Sequence, residues 1–375
     1  MKIGVLKERE PENRVAILPE HIDHLKKLNL EIIIEKEAGM RSYVNDQSYR
    51  DAGAIISDRD KLLKDSNIIV SVNAPGKETL KKLEKGKVII GILNALSNKD
   101  LVTWLRDNDL TSFSLELIPR ITKAQSMDVL SNMATVAGYK AVLVAASELP
   151  RFFPMFMTAA GTIKPAKVLI LGAGVAGLQA IAISRKLGAV VEVFDVRSAV
   201  KEEVMSLGGK FIEVEGATED KAAGGYAVEQ TEEYKQRQAD MIQDHAAKSD
   251  VIICTAQIPG KKAPVLITKN TVEMMSPGSV IVDLAASTGG NCEMTENNKT
   301  VFHNGIKIIG QSNFPSSIPS DASKMYGTNL INFLKLLFDE KGNYKLNMDD
   351  EIVNSTCLTH EGEVINERIK STLNI

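Results

Sequence analysis

Short apolar runs alternate with amphipathic stretches along the first 120 residues. Runs rich in Ile and Val, such as KIGVL, EIIIEK, NIIVSV and KVIIGIL, are separated by PEHIDHLKKL and NKDLVTWLRDN. The first kind of run is typical of buried strands, and the second has the spacing of one helical face. Repeated strand–helix alternation favours a parallel sheet covered by helices on both faces.

A second alternating region begins at Lys167, with strands predicted near 167–171, 190–194, 210–214, 250–254, 279–284 and 306–309. Between the two regions, residues 126–148 contain no proline and predict one long helix. The expected fold class is α/β, with two Rossmann-like domains that have parallel sheets and are joined by long helices.

Two segments interrupt this rhythm. Residues 215–238 are polar, contain a Gly-Gly pair, and are longer than a usual connection, so they indicate either a mobile lid or a surface excursion. After Gly310 a loop with two prolines precedes an amphipathic helix, for which Ser320 or Asp321 is the expected N-cap.

Composition narrows the class of protein. The chain has 375 residues and a net charge of −3, so it has no basic footprint for nucleic acid or an anionic membrane. Its three cysteines, Cys254, Cys292 and Cys357, form no CxxC pair, which predicts buried reduced thiols of a cytoplasmic protein. His21 and His24 lack a third ligand, and no metal site is expected.

One motif carries chemistry. The stretch LILGAGVAGLQA contains Gly172, Gly174 and Gly177 in the GxGxxG spacing, directly after an apolar strand and at the start of a helix. In that context the first glycine permits a tight turn, the second admits a pyrophosphate, and the third lets the helix pack closely. The loop therefore predicts a dinucleotide site.

The following strand indicates which dinucleotide is bound. It ends in Asp195, 23 positions after Gly172, where an acid accepts hydrogen bonds from a ribose 2′-hydroxyl and repels a 2′-phosphate. Arg197 would favour NADP(H) instead. We give Asp195 precedence because it stands at the strand end, and expect Arg197 to lie beside the adenine or in solvent. The predicted cofactor is NAD(H).

Longer stretches resemble a known family. ELIPRITKAQSMDVLSNMATVAGYKAV, MTAAGTIKPAKVLILGAGVAGLQAIA, AAGGYA and PGSVIVDLAASTGGNCE are similar to the alanine dehydrogenase and transhydrogenase family. Within it, nearly the whole chain resembles the NAD(H)-binding domain I of proton-translocating nicotinamide nucleotide transhydrogenases. Alanine dehydrogenase is the close cousin.

Four positions distinguish the two branches. By resemblance, alanine dehydrogenases carry a substrate-binding lysine where this chain has Asn73, a catalytic histidine at Asn94 and an acid at Ser287. Only Arg14, matching their carboxylate-binding arginine, is kept. Hydride exchange between two nicotinamides needs no acid or base, so the substitutions favour a transhydrogenase.

The resemblance also implies roles in the loop RITKAQSMD. Arg120, Gln125, Asp128 and Ser131 match the family's nicotinamide-side residues and are the expected catalytic set. Gln125 would steer the ring through its ribose, Asp128 and Ser131 would hold the carboxamide side, and Arg120 would lie near the pyrophosphate or ring. The simpler interpretation is a helix start capped by Ser126 with an Arg120–Asp128 salt bridge. The complete set of cofactor-binding residues expected here is Arg120, Ile121, Thr122, Gln125, Ser126, Met127, Asp128 and Ser131.

Further cofactor contacts are implied in the second region. Tyr226 of AAGGYA would close over the nucleotide and Gly225 would approach its adenosine side. Gln238 and Gln257 match other lining positions, Gln257 through its backbone at best. The set expected around the glycine loop is Gly172, Gly174, Val175, Gly177, Asp195, Val196 and Arg197.

The resemblance sets the expected assembly and boundaries. It implies a Re/Si-specific transhydrogenase component that exchanges hydride between NADH and NADP⁺, coupled to proton movement. The expected partners are a membrane alpha-2 subunit, a beta subunit carrying NADP(H) and a second copy in a homodimer. The chain would be a soluble alpha-1 subunit, cytoplasmic and peripheral on the inner face of the membrane. The expected domains are 1–127 with 310–375, and 128–309. An alanine-type dehydrogenase and a non-catalytic NADH sensor remain alternatives.

Overall fold

The structure, a computed structural model, describes residues 1–214, 231–258, 260–339 and 341–375. They divide into two compact units: unit 1 is Met1–Met133 with Pro315–Ile375, and unit 2 is Ala134–Phe314. Each unit is built on its own sheet, so each is described separately.

The described residues form strands with the following bounds: β1 Lys2–Val5, β2 Glu31–Glu35, β3 Ile55–Ser57, β4 Ile68–Asn73, β5 Val88–Ile92, β6 Thr111–Ser114, β7 Phe156–Thr158, β8 Gly161–Ile163, β9 Lys167–Leu171, β10 Val190–Phe194, β11 Lys210–Phe211, β12 Val251–Cys254, β13 Val280–Asp283, β14 Thr300–His303, β15 Ile306–Ile309, β16 Cys357–His360 and β17 Glu363–Val364.

The α-helices of the same residues have the following bounds: α1 Ile22–Lys26, α2 Asp46–Asp51, α3 Arg59–Asp65, α4 Lys77–Leu80, α5 Lys99–Asp107, α6 Val129–Glu148, α7 Val175–Lys186, α8 Lys201–Ser206, α9 Glu232–Ala247, α10 Lys269–Met274, α11 Pro319–Leu334, α12 Glu351–Thr356 and α13 Glu367–Leu373.

The sheet of unit 1 has the strand order β17-β16-β6-β5-β4-β1-β2-β3. The six strands from β6 to β3 are parallel, and the hairpin of β16 and β17 adds to β6 in the antiparallel direction. Chain order reverses between β1 and β4. Ligands of open α/β sheets bind outside the carboxyl ends of the strands at such a reversal.

The main sheet of unit 2 has the order β11-β10-β9-β12-β13-β15-β14, parallel except for the last pair. Chain order reverses between β9 and β12, next to the glycine loop. Val168–Leu171 and all of β12 and β13 are buried. Strands buried on both faces require continuous apolar runs, which is why the sequence pattern found them.

The predicted α/β class with two Rossmann-like sheets is confirmed. The pattern missed β3 and β14, which are short edge strands. The capping prediction for the helix after Gly310 was wrong: α11 begins at Pro319 with Ile318 as N-cap and no side-chain cap. Proline fits the first helical turn because that turn needs no N–H donor there.

The predicted long helix is α6, which begins at Val129 rather than at 126 because a 3₁₀ turn over Thr122–Met127 precedes it. Among the described residues, α6 is the one helix long and apolar enough to span a membrane by length and composition. Its Ala141, Val142 and Ala145 are buried in the core of unit 2, which is the arrangement of a core helix.

Candidate nucleotide-binding site

The glycine loop connects β9 to α7 in unit 2, and two of its glycines are required by the protein itself. Gly172 has a φ of +101°, and a Cβ there would lie 2.6 Å from Oγ1 of Thr255. A Cβ on Gly177 would lie 1.9 Å from the carbonyl oxygen of Gly172. The tight turn and the close helix packing predicted for these positions are therefore present.

Gly174 differs from the other two glycines. It is the N-cap of α7 with a φ of −76°, and a Cβ there would meet no atom within 4 Å. Packing within the chain therefore does not require glycine here. The open space lies at the N-terminus of a 12-residue helix, and the following residue, Val175, is exposed. These features fit an approaching pyrophosphate.

Sequence reasoning missed two residues that support the loop. Oγ1 of Thr255, at the end of β12, donates to the carbonyl oxygen of Gly172 at 2.9 Å. Gly138 in α6 lies against α7, because a Cβ there would be 2.1 Å from the carbonyl oxygen of Ala176. The signal for Gly138 was a glycine inside a helical pattern, which costs stability unless close packing requires it.

Asp195 follows β10 and is turned inward. Its side chain is 6% exposed, and its Oδ2 accepts a hydrogen bond from the amide of Ala173 at 2.7 Å. The carboxylate therefore lies against the glycine loop, as the predicted ribose contact requires.

Arg197 is placed differently from the expectation. Rather than lying beside an adenine or in solvent, its guanidinium binds Asp195, with Nε 2.9 Å from Oδ1 and Nη2 2.9 Å from Oδ2. The amide of Arg197 also donates to Oδ1 at 2.9 Å. Burial alone would raise the pKa of Asp195, but hydrogen bonds from Arg197 and Ala173 lower the pKa below its ordinary value.

The loop after β12 lies across the chain reversal from the glycine loop, and buried polar groups hold it. Asn291 is fully buried, and its Nδ2 donates to the carbonyls of Ala256 and Pro264, each at 2.8 Å. Asp283 accepts from the amide of Asn291 at 2.7 Å. Nε2 of Gln257 donates to the carbonyl of Leu284 at 2.8 Å, so this side chain is engaged within the protein. Sequence reasoning did not single out Asn291 or Asp283.

The remaining predicted contacts of unit 2 are placed as follows. Val196 is exposed next to Asp195, and Gln238 is half-buried in α9. Gly225 and Tyr226, with most of the predicted lid or excursion, lie outside the described residues. The helix α9 already begins at Glu232, inside the stretch that was interpreted as irregular.

In unit 1 the loop RITKAQSMD forms the 3₁₀ turn that precedes α6. Ala124 and Met127 are buried and anchor the turn, and Ile121 is half-buried. Asn329 and Asn332 of α11 donate to the carbonyl of Ser126 at 2.8 and 3.1 Å. The predicted cofactor residues that are exposed on this fixed turn are Arg120, Thr122, Gln125 and Ser126.

Asp128 and Ser131 are brought together at the start of α6. Oδ1 of Asp128 accepts from the amide of Ser131 at 2.9 Å, and Oδ2 accepts from its hydroxyl at 2.6 Å. Asp128 thus caps the helix, whereas the simpler interpretation had assigned this role to Ser126. Within the described part of the chain, the ion pairs do not include one between Arg120 and Asp128.

The chain reversal of unit 1 holds a closed charge network. The guanidinium of buried Arg14 binds Glu12 through two hydrogen bonds, Nε–Oε1 at 2.8 Å and Nη2–Oε2 at 2.7 Å. Nδ2 of Asn73 donates to Glu12 at 3.2 Å and to Glu8 at 3.3 Å. The arginine that the cousin branch uses for a substrate carboxylate therefore already holds a carboxylate of this chain.

Glu8 is the excess acid of this network. Burial raises the pKa of Glu8 from 4.5 to about 7; hydrogen bonds from Val72 and Asn73 oppose that rise, and nearby Glu12 adds to it. A lysine at position 73 would have balanced the second carboxylate, but an amide cannot.

Asn94 and Ser287, at the cousin's other two catalytic positions, are both exposed. Among the described residues no group of His, Cys, Asp and Glu is arranged to hold a metal ion. The three cysteines are buried and free, as expected from their spacing.

Two family descriptions match the chain: "Alanine dehydrogenase/PNT, N-terminal domain" over residues 4–137 and "Alanine dehydrogenase/PNT, C-terminal domain" over residues 141–367. The chain belongs to this alanine dehydrogenase/PNT family.

Three comparisons position it within the family. The chain is 45% identical to the first section of the NAD(P) transhydrogenase subunit alpha of Rhodospirillum rubrum, covering 97% of this chain and 98% of that protein. A solved transhydrogenase from Sinorhizobium meliloti matches with a TM-score of 0.89 and 43% identity, over 97% of this chain and 100% of the other. Alanine dehydrogenase of Staphylococcus epidermidis is 28% identical over 100% of this chain and 97% of that enzyme.

Proposed function

We propose that this chain is the NAD(H)-binding component of a proton-translocating NAD(P) transhydrogenase. It binds NADH and passes hydride to NADP⁺ held on a partner subunit, with Re/Si specificity, and the partner's membrane subunits couple the transfer to proton movement. The similarity to transhydrogenase alpha subunits supports this class of activity.

The observation that carries the proposal is the state of Arg14. An amino-acid dehydrogenase must bind a substrate carboxylate and move protons, but the retained arginine is saturated by Glu12. Asn73, Asn94 and Ser287 supply no general acid or base at ordinary pH. A reaction that transfers only hydride requires positioning of two rings and no proton transfer.

The nucleotide is NAD(H). The open space at Gly174 fits the pyrophosphate, and Asp195 fits the adenosine ribose. Val175, Val196, Gln238 and the backbone of Gln257 complete the proposed contacts of unit 2, together with Gly225 and Tyr226.

The nicotinamide end of the nucleotide is assigned to the turn of RITKAQSMD. Gln125 is exposed on a turn whose backbone is fixed by buried Ala124 and Met127, so its amide can steer a ring without moving the main chain. Asp128 and Ser131 hold the carboxamide side, and Arg120 serves the pyrophosphate or ring. Ile121, Thr122 and Ser126 line the same turn.

A homodimer is included in the proposal. The hairpin of β7 and β8 in unit 2 is exposed along both strands, and no charged residue lies between Arg151 and Lys164. Exposed apolar side chains cluster there: Phe152, Met155, Phe156, Met157 and Ile163. A two-stranded hairpin is marginal in water, and an apolar patch on it favours burial in an assembly. The other partners are an alpha-2 and a beta subunit of the membrane complex, at whose cytoplasmic face the chain acts.

The experiment follows nicotinamide absorbance of the purified chain with NADH. Pyruvate and ammonium are added first, and then an NADP⁺-loaded domain III of a transhydrogenase. We expect no oxidation with pyruvate and ammonium, followed by NADH oxidation matched by NADPH formation. Oxidation with pyruvate and ammonium would identify an alanine dehydrogenase. No reaction in either step, with NADH bound, would identify a sensor.

A further inference from the structure

Two residues that normally mark opposite cofactor preferences stand two positions apart at the end of β10. An acid at this place accepts from the ribose hydroxyl of NAD(H), whereas an arginine accommodates the 2′-phosphate of NADP(H). The chain carries both, Asp195 and Arg197. In the structure they are bound to each other in a bidentate pair.

Four donors already fill the Asp195 carboxylate. Oδ1 accepts from the amide and Nε of Arg197, and Oδ2 accepts from the amide of Ala173 and Nη2 of Arg197. A carboxylate has about four acceptor positions. A ribose hydroxyl can replace one of these donors because it donates itself. A phosphate only accepts, so it can gain Arg197 only by separating the pair.

Separating the pair is costly because of where it lies. The Asp195 side chain is 6% exposed, whereas that of Arg197 is 31% exposed. Withdrawing the guanidinium would leave a buried carboxylate without its counter-charge beside the incoming phosphate. The negative charge of Asp195 is otherwise neutralised by Arg197, so simple charge repulsion accounts poorly for a preference between the two nucleotides.

We propose that Asp195 selects NAD(H) chiefly by holding Arg197, so that the guanidinium is withheld from a 2′-phosphate. Arg197 is thereby a specificity-determining residue whose latent preference is for NADP(H). This inference rests on the proposed function, because it concerns the same nucleotide site. It deepens that function by separating the two ways in which one carboxylate can exclude NADPH.

The test measures dissociation constants of NADH and NADPH from the full chain by nucleotide fluorescence. The variants are Asp195→Asn, Arg197→Met and the double variant, with Asp195→Ser as a second way to release the arginine. Lys201→Met and Glu213→Gln are matched controls, since they make the same charge changes in an exposed ion pair nearby. Thermal melts monitor folding of each variant.

We expect Asp195→Asn and Asp195→Ser to tighten NADPH binding by roughly tenfold to a hundredfold, the size of one charge-assisted contact. The double variant should lose that gain, and Arg197→Met alone should not improve NADPH binding. The inference is overturned if the double variant keeps the gain, because Asp195 would then act through its own charge, or if neither single Asp195 variant gains.

These readouts concern binding alone, so failure of hydride transfer to NADP⁺ would count against the proposed function and leave the inference standing. A wild-type chain that bound neither nucleotide would overturn both.

Discussion

The two units share one topology and differ in what lies at the chain reversal. Six parallel strands follow the order β3-β2-β1-β4-β5-β6 in unit 1 and β11-β10-β9-β12-β13-β15 in unit 2. At the reversal of unit 2, the glycine loop leaves open space in front of a helix. At the reversal of unit 1, Glu8, Glu12, Arg14 and Asn73 bind one another.

The difference teaches that the fold supplies a crevice and that side chains decide its use. In unit 2 the backbone is exposed because glycines replace side chains. In unit 1 the polar groups satisfy each other, and burial leaves Glu8 with a pKa of about 7. The charge network thus acts as structure in unit 1, whereas the loop of unit 2 has capacity for a ligand.

The largest effect is expected from Gly177→Ala. Alanine favours a helix interior by about 1 kcal/mol, but its Cβ would lie 1.9 Å from a backbone oxygen, so the clash prevails. We expect the free energy of unfolding to fall by about 4 kcal/mol and NADH binding to be lost. Denaturant titration and calorimetry measure both.

Gly174→Ala is the matched control, because its Cβ meets no atom within 4 Å. It should melt near the wild-type temperature and yet bind NADH at least tenfold more weakly, since the new methyl occupies the space assigned to the pyrophosphate. Equal behaviour of the two alanine variants would remove the distinction between structural and ligand-facing glycines.

Breaking the network of unit 1 should affect stability and leave nucleotide binding unchanged. Arg14→Met leaves buried Glu12 without its counter-charge, which lowers the free energy of unfolding by about 3 kcal/mol. Arg106→Met, which removes an exposed ion pair, should cost less than about 1 kcal/mol. An altered NADH dissociation constant in Arg14→Met would contradict the separation of the two crevices.

The network also predicts a pH dependence. The pKa of Glu8 rises from 4.5 to about 7 on folding, so its contribution to stability is present below pH 4.5 and is lost as the pH rises through 7. Relative to Glu8→Gln, the wild type should lose about 2 kcal/mol between about pH 5 and about pH 7. A constant difference between their unfolding curves would mean that Glu8 is ionised throughout.

The smallest effect concerns the turn before α6. Gln125→Asn shortens the side chain that is assigned to ring steering, so hydride transfer should slow roughly tenfold while NADH affinity changes less than twofold. Lys123→Gln is the control, because Lys123 lies in the same turn and pairs with Asp350. Equal loss of rate and affinity would refute steering.

The fold was predictable where burial imposes a pattern. Apolar runs located the central strands, and the glycine spacing placed the loop between β9 and α7. Edge strands β3 and β14 were missed because they are short and partly exposed, so no apolar run marks them. The N-terminus of α11 was mispredicted because Pro319 opens that helix without a side-chain cap.

The site was predictable as positions and less so as partners. Asp195, Gly172 and Gly177 lie where the motif requires. Sequence spacing could not reveal that Arg197 turns back onto Asp195, because both rotamers are compatible with the same two-residue separation. The support of the loop after β12 by Asn291 depends on contacts across 35 residues, which no local pattern encodes.

The central claim is that hydride passes directly from one nicotinamide to another without an acid or base of this chain. The most direct test supplies NADH deuterated at the transferred C4 position, together with the NADP⁺-loaded domain III, and follows the label by mass spectrometry. The account predicts that the deuterium is recovered on C4 of NADPH, in ordinary water and without dilution. Recovery of unlabelled NADPH, with deuterium released to solvent, would contradict it.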